Sequence, residues 1–370
     1  MSPPASPESG NPDQGASRPV HRRTFVPALT LLLLVSMLTA CVPGADGPSI
    51  ALLLPDKKTA RYETFDRPVF EERVAERGDY GVLYANADQD AAKQQQQAES
   101  ALAAGVRVLV LDPVDAKAAI TIVNAASAQD VPVVAYDRLI AGGDLAYYGS
   151  FDNVRVGELQ ATALLEALDE RGDPDGGVLM VNGSPTDSNA ARFREGALRV
   201  LGESGVRILA EYSTPDWSPD KAQDWVAGQI SQFGDRIAAV YAANDGTASG
   251  AIAALRAADV TPLPVVTGQD AELSALQRIV SGDQYMTVYK ALRPQAQRAA
   301  DVAIDLLEGR EVTGDLMVEG TPATLLTPVA VTVSDILDTV VADGFWTVED
   351  ICTPEYAAAC EAAGIREDSP

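Results

Sequence analysis

Several apolar stretches of this chain have no polar face. Val108-Leu109-Val110-Leu111 and Val133-Val134-Ala135-Tyr136 present hydrophobic groups on both sides of an extended backbone. A strand of that kind needs cover on both faces, which a parallel sheet flanked by helices provides. The runs at 48–54, 81–85, 106–112 and 131–135 read as strands, and amphipathic segments at 65–76, 91–103 and 116–128 separate them. After Asn153 the alternation restarts. Helical spacing runs to 168, then 190–201, 219–233 and 246–257, with strands expected at 177–182, 206–211, 237–242 and 263–267. Strand–helix alternation of this length predicts an α/β fold of two doubly wound, Rossmann-like lobes, with a pause in the pattern at 150–153.

Composition narrows the chemistry. The 370 residues carry 28 Lys plus Arg against 53 Asp plus Glu, a formal net charge of -25. That balance excludes a nucleic-acid partner, which needs clustered cations. One His and three Cys exclude a multi-histidine zinc site and a zinc finger, so no metal and no cofactor is expected. Neither of the glycine-rich phosphate-cradling patterns occurs.

Residues 1–40 read as an export signal. His21-Arg22-Arg23 precedes a largely apolar run at 25–40, shorter than the roughly 20 residues a spanning helix needs. The run ends Leu38-Thr39-Ala40-Cys41, which resembles a bacterial lipobox. That resemblance implies cleavage before Cys41, lipidation of its thiol, and a protein held by acyl chains on the outer face of the cell membrane. Residues 41–47 would be the tether. Outside the cytoplasm the remaining cysteines, Cys352 and Cys360, are expected to pair. A continuous helix between them would hold their Cα atoms about 12 Å apart, where a bridge needs roughly 5.5 Å. Cys352 must therefore fold back outside the helix, or no bridge forms.

Ligands of open α/β sheets sit beyond the carboxyl ends of the strands. The segments there are rich in Asp, Asn and Arg. They include Thr59-Ala60-Arg61-Tyr62, Asp137-Arg138, Asp187-Ser188-Asn189, Asp216-Trp217, Asn244-Asp245, Gly268-Gln269-Asp270 and Tyr289-Lys290. Planar amide, carboxylate and guanidinium groups can each meet two neighbouring hydroxyls, and a flat aromatic ring covers the C–H face of a pyranose. The set suits a neutral monosaccharide. Asp187, Asn189 and Asn244 also stand where helix caps are expected.

In their order along the chain these segments resemble the sugar-binding proteins of bacterial ABC transporters, of the D-xylose-binding and multiple-monosaccharide-binding types. So do Ser150-Phe151-Asp152-Asn153, Val156-Gly157-Glu158-Leu159-Gln160 and Met286-Thr287-Val288-Tyr289-Lys290, and the likeness covers residues 48 to about 347. It implies a type I periplasmic-binding-protein fold. One lobe would comprise 48–151 and 285–327, the other 152–284 and 328–370, joined by a three-segment hinge. It also implies a monomeric, non-enzymatic receptor that closes on D-xylose or a related sugar and delivers it to a membrane permease. Carried onto this chain, Arg61, Arg138 and Lys290 donate to the sugar. Asp137, Asp187 and Asp270 accept, Asn189 and Asn244 bridge hydroxyls, and Tyr62 and Trp217 stack on the ring. Tyr62 departs from the pattern, since the xylose type carries Trp there.

Other readings stay open on the residues alone. A glycosidase would use two carboxylates at fixed separation, but the cleft Asp residues lie beside Arg and Lys, which favours ionised acceptors. A sugar-responsive repressor would need a DNA-binding helix pair where this chain carries its signal. Presentation of a sugar to a membrane-bound sensor is as compatible with the sequence as transport.

Overall fold

The computed structural model describes residues 49–366; the signal, the tether and Cys41 lie outside them. The first sheet contains β1 (Ser49–Leu54), β2 (Gly81–Asn86), β3 (Val108–Leu111), β4 (Val133–Tyr136) and β5 (Tyr147–Phe151). The second contains β6 (Gly177–Asn182), β7 (Arg207–Ser213), β8 (Ile237–Ala242) and β9 (Val265–Val266). Late in the chain come β10 (Thr287–Tyr289), β11 (Leu316–Val318), β12 (Thr321–Leu326) and β13 (Val329–Val331). The first sheet has the order β11-β12-β5-β4-β3-β1-β2 and is parallel except at its β11–β12 edge. The second has the parallel order β7-β6-β8-β9. Each is the doubly wound pattern the two-faced strands demand: every residue of β3, β4 and β6 is buried.

Helices α1 (Arg67–Arg77), α2 (Ala91–Ala103) and α3 (Ile120–Ser127) belong to the first alternation. The second holds α4 (Asn153–Glu170), α5 (Ser188–Leu201), α6 (Pro219–Phe233), α7 (Asp245–Ala257) and α8 (Leu273–Ser281). α9 (Leu292–Leu307) returns to the first lobe, where Ala296, Ala299 and Ala303 pack with Ile50, Val108 and Tyr136.

The lobes are joined where β5 and β12 end side by side, with Phe151 in register with Leu326 and the Asp152 N–H on the Leu326 carbonyl. The remaining crossing lies between β10 and α9. The resemblance implies a boundary at 285. Met286 and Val288 pack in the second core with Val178 and Tyr241, and backbone bonds tie Tyr285 to Val266 and Val288 to Gly268.

After β13 the chain forms a cap over α8 and the crossings, with Phe345, Ile351, Cys360 and Ile365 packed on Leu276, Ile279 and Tyr289. Cys352 and Cys360 are bridged, with their Cα atoms 5.9 Å apart. Two short helices, α10 (Val348–Ile351) and α11 (Ala357–Ala362), make this possible. Cys352 ends the first and Cys360 lies in the second, so the backbone folds back between them. Among the described residues no helix is long and apolar enough to cross a membrane.

Candidate functional site

The carboxyl ends of both sheets face one another across a small cavity of about 20 Å³, lined mostly by buried side chains. Arg61, Tyr62, Asp137 and Arg138 line it from the first lobe. Asp187, Asn189, Trp217, Asn244 and Asp270 line it from the second, and Lys290 does so from the crossing. The fold thus gathers every side chain expected to touch the sugar.

The first-lobe wall rests on a buried charge network. Arg61 donates through Nε and Nη2 to Asp66 at 2.8 Å each, through Nη2 to Gln295 at 2.8 Å, and through Nη1 to Asp137 at 2.9 Å. The Tyr136 hydroxyl donates to the same Asp66. The resemblance makes Arg61 a donor to the ligand. Four of its N–H groups meet protein acceptors, Asp137 among them, and it lines the cavity. Gln295 adds a bond to Asp137 at 3.2 Å. Burial pushes the Asp137 carboxyl up, but Arg61, Lys290 and Arg138 outweigh burial and hold it well below the usual carboxylate range. Asp137 is therefore an ionised acceptor.

Helix ends hold the second-lobe wall. Asp187 caps α5, accepting from the Asn189 N–H at 2.8 Å, and its other oxygen accepts from Trp217 Nε1 at 3.0 Å. Asn244 caps α7 in a reciprocal box with Thr247. The capping and lining readings of Asp187 and Asn244 therefore hold together. Asn189 reaches across the lobes, with Nδ2 3.0 Å from Asp137 Oδ2, while its oxygen accepts from Asn153 at 2.8 Å.

Trp217 reaches the cavity from a tight turn. Asp216 and Trp217 both have positive φ, 57° and 53°. The indole lies directly on Gly183, where a Cβ would come within 2.0 Å of the ring, and meets Phe193 edge-on at 6.3 Å. Asp137 and Asp270 also have positive φ, 60° and 100°. Backbone of this kind collects at ligand sites, where surrounding contacts enforce it. Lys290 Nζ pairs with Asp270 at 2.9 Å and sits over the rings of Phe151 and Phe193, at 5.5 and 5.9 Å.

Arg138 ties the walls together. It donates to the Pro113 carbonyl at 3.0 Å and the Tyr62 hydroxyl at 3.2 Å within its own lobe. Its Nε approaches Asp187 across the cleft at 2.8 Å. Backbone joins the lobes too, the Ala116 N–H donating to the Thr186 carbonyl at 3.0 Å.

Thr59 and Gln269, which stand in the strand-end segments without an assigned role, and Phe193, which stands outside them, also line the cavity. Phe193 follows Asn189 by one helical turn, so the 3.6-residue period places both on one face. Gln269 is buried, and its Oε1 receives no hydrogen bond among the described residues. Gln295, Asp66 and Asp112 carried no local signal; only the tertiary fold brings them behind the wall.

Two α/β lobes with three crossings and a polar cavity at the facing strand ends define a type I periplasmic binding protein. Residues 50–311 match the periplasmic binding protein domain, and the chain belongs to that family. It is 35% identical over 317 residues to the D-xylose-binding periplasmic protein of Escherichia coli, covering 84% of this chain and 94% of that one. It is 30% identical over 344 residues to the multiple sugar-binding periplasmic receptor ChvE of Rhizobium radiobacter, covering 86% and 96%. An ABC transporter solute-binding protein from Clostridium phytofermentans, solved with bound β-D-glucose, superposes with a TM-score of 0.75 at 26% identity, covering 82% and 99%.

Proposed function

We propose that this protein is an extracytoplasmic solute receptor, anchored by lipid at Cys41, that captures a monosaccharide and delivers it to an ABC permease. D-xylose is the first choice. For this reading residues 49–151 and 290–327 form one lobe, and 152–289 and 328–366 the other.

The carrying observation is the set of side chains that both lobes bring to one small cavity. The first lobe supplies carboxylate and cationic groups, the second carboxylate and amide groups, and aromatic rings flank them. Asp137 accepts from sugar hydroxyls, and Arg138 and Lys290 supply positive charge. Asn244 and the unpaired amide of Gln269 make two-way contacts. Trp217, Tyr62 and Phe193 cover apolar C–H surface. A sugar touching both walls binds the closed form better than the open one and raises its population by that difference in affinity. The permease then reads the closed shape. Relatives named for D-xylose or multiple sugars, matched over most of their length, support the sugar class.

Calorimetric titration of residues 42–370 with D-xylose, D-glucose, L-arabinose and D-galactose tests it. Saturable one-to-one binding of xylose alone supports a xylose receptor. Comparable heats from several sugars support a broader monosaccharide receptor. No binding by folded protein overturns the proposal.

A further inference from the structure

Asp112 follows β3 and lies behind the first-lobe wall, wholly buried. Its backbone is fixed, with its N–H on the Leu53 carbonyl and its carbonyl accepting from Gln94. Neither carboxylate oxygen accepts a hydrogen bond among the described residues. A buried carboxyl in that position carries an unpaired charge or takes up a proton, and both cost stability. Burial indeed pushes Asp112 well above the usual carboxylate range, against the opposing pull of Arg138.

The cation nearest to it is engaged elsewhere. Arg138 Nε is 3.4 Å from Asp112 but 2.8 Å from Asp187 of the other lobe. The Nε–H makes a well-aligned hydrogen bond to neither. The rest of the guanidinium is tied to Pro113 and Tyr62, both of the first lobe. When the lobes separate, Asp187 leaves with the second lobe, while Arg138 stays beside Asp112.

We propose that Asp112 is the counter-ion of Arg138 in the open form, a positioning residue from which Asp187 takes the guanidinium on closure, so that Asp112 biases the sugar-free receptor towards opening. This rests on the closure reading above. An affinity measured from a mostly open population is lowered by the fraction that is closed, and Asp112 sets part of that fraction.

The test is D112N in the full chain, with two readouts. The first is hydrogen exchange, without sugar, of the Ala116 amide that bonds Thr186 across the lobes. The second is the dissociation constant for D-xylose. D112N removes the open-state ion pair and the unpaired closed-state carboxylate, so Ala116 exchange slows and affinity tightens, each by about tenfold. A role confined to holding the fold together predicts faster exchange and weaker binding. D187N is the mirror variant: it removes the closed-state partner, so exchange quickens and binding weakens. Unchanged or quickened Ala116 exchange in D112N overturns the proposal, as does D187N behaving like D112N. If the wild-type protein binds no sugar, the functional reading fails while the exchange comparison still decides the role of Asp112.

Discussion

The two walls of the cavity are built by different means. The first-lobe wall is a closed circuit of buried charge, Asp66, Arg61, Asp137 and Gln295, assembled from three separate stretches of chain. The second-lobe wall is made of helix starts and one tight turn, with Asp187 and Asn244 each serving backbone and cavity at once. The first arrangement fixes acceptor geometry within one lobe. The second keeps its polar groups on helix-start backbone and extends across the cleft through Asn189 and Asp187. Under the proposed closure on a sugar, one wall would be ready in the open form and the other would complete the site.

The difference is most severely tested at Arg61. Arg61→Ala leaves Asp66 and Asp137 buried without their cation, and should cost about 3–5 kcal/mol of stability together with sugar binding. Thermal unfolding and titration check this; a well-folded variant with native affinity would remove the circuit from the account. Gly183→Ala attacks the other wall without touching a charge. The added Cβ would lie 2.0 Å from the Trp217 ring, so the indole must move, and affinity should fall by about 1–3 kcal/mol. Quenching or shift of tryptophan fluorescence on sugar addition should change in parallel.

Asn244→Ala should show the double duty of the helix starts. Loss of the α7 cap costs about 1 kcal/mol of stability, and loss of the cavity amide weakens binding by about tenfold. If stability falls while affinity stays native, Asn244 is a cap alone. The smallest effect concerns pH. Asp245 is wholly buried, accepting from Gln284 at 2.8 Å and from the Glu272 N–H at 2.9 Å. Burial raises it to about 7, with Arg278 opposing. Burial, then Asp245 and Asp270, raise Glu272 to about 8. Both bind protons more tightly folded than unfolded. Their contribution is therefore complete below the ordinary carboxyl range and is lost progressively as pH rises from that range to about 7 to 8. Melting temperature should fall by a few degrees across that interval, by an order-of-magnitude argument, and Asp245→Asn should flatten the profile.

Much of the architecture was legible because two-faced apolar strands admit few folds. The runs at 177–182 and 237–242 and the helices at 91–103 and 219–233 fall where periodicity puts them. β5 escaped: its end overlaps the pause read at 150–153, and Tyr147–Phe151 pairs as a strand between β4 and β12. The cavity-lining residues were legible for a related reason: polar groups just past strand ends have one place to go in such a sheet.

Sequence by itself determined the α/β alternation, the charge that excludes nucleic acid, and which side chains meet at the strand ends. Those properties follow from local periodicity and residue chemistry, which need no partner. Tertiary structure alone decided what each of those side chains does. It bonded Arg61 to Asp66, Asp137 and Gln295, seated Trp217 on Gly183, and brought Asp112 behind Arg138. Each such role depends on which donor meets which acceptor across long stretches of chain, and a hydrogen bond is settled by distance and angle, not by residue type.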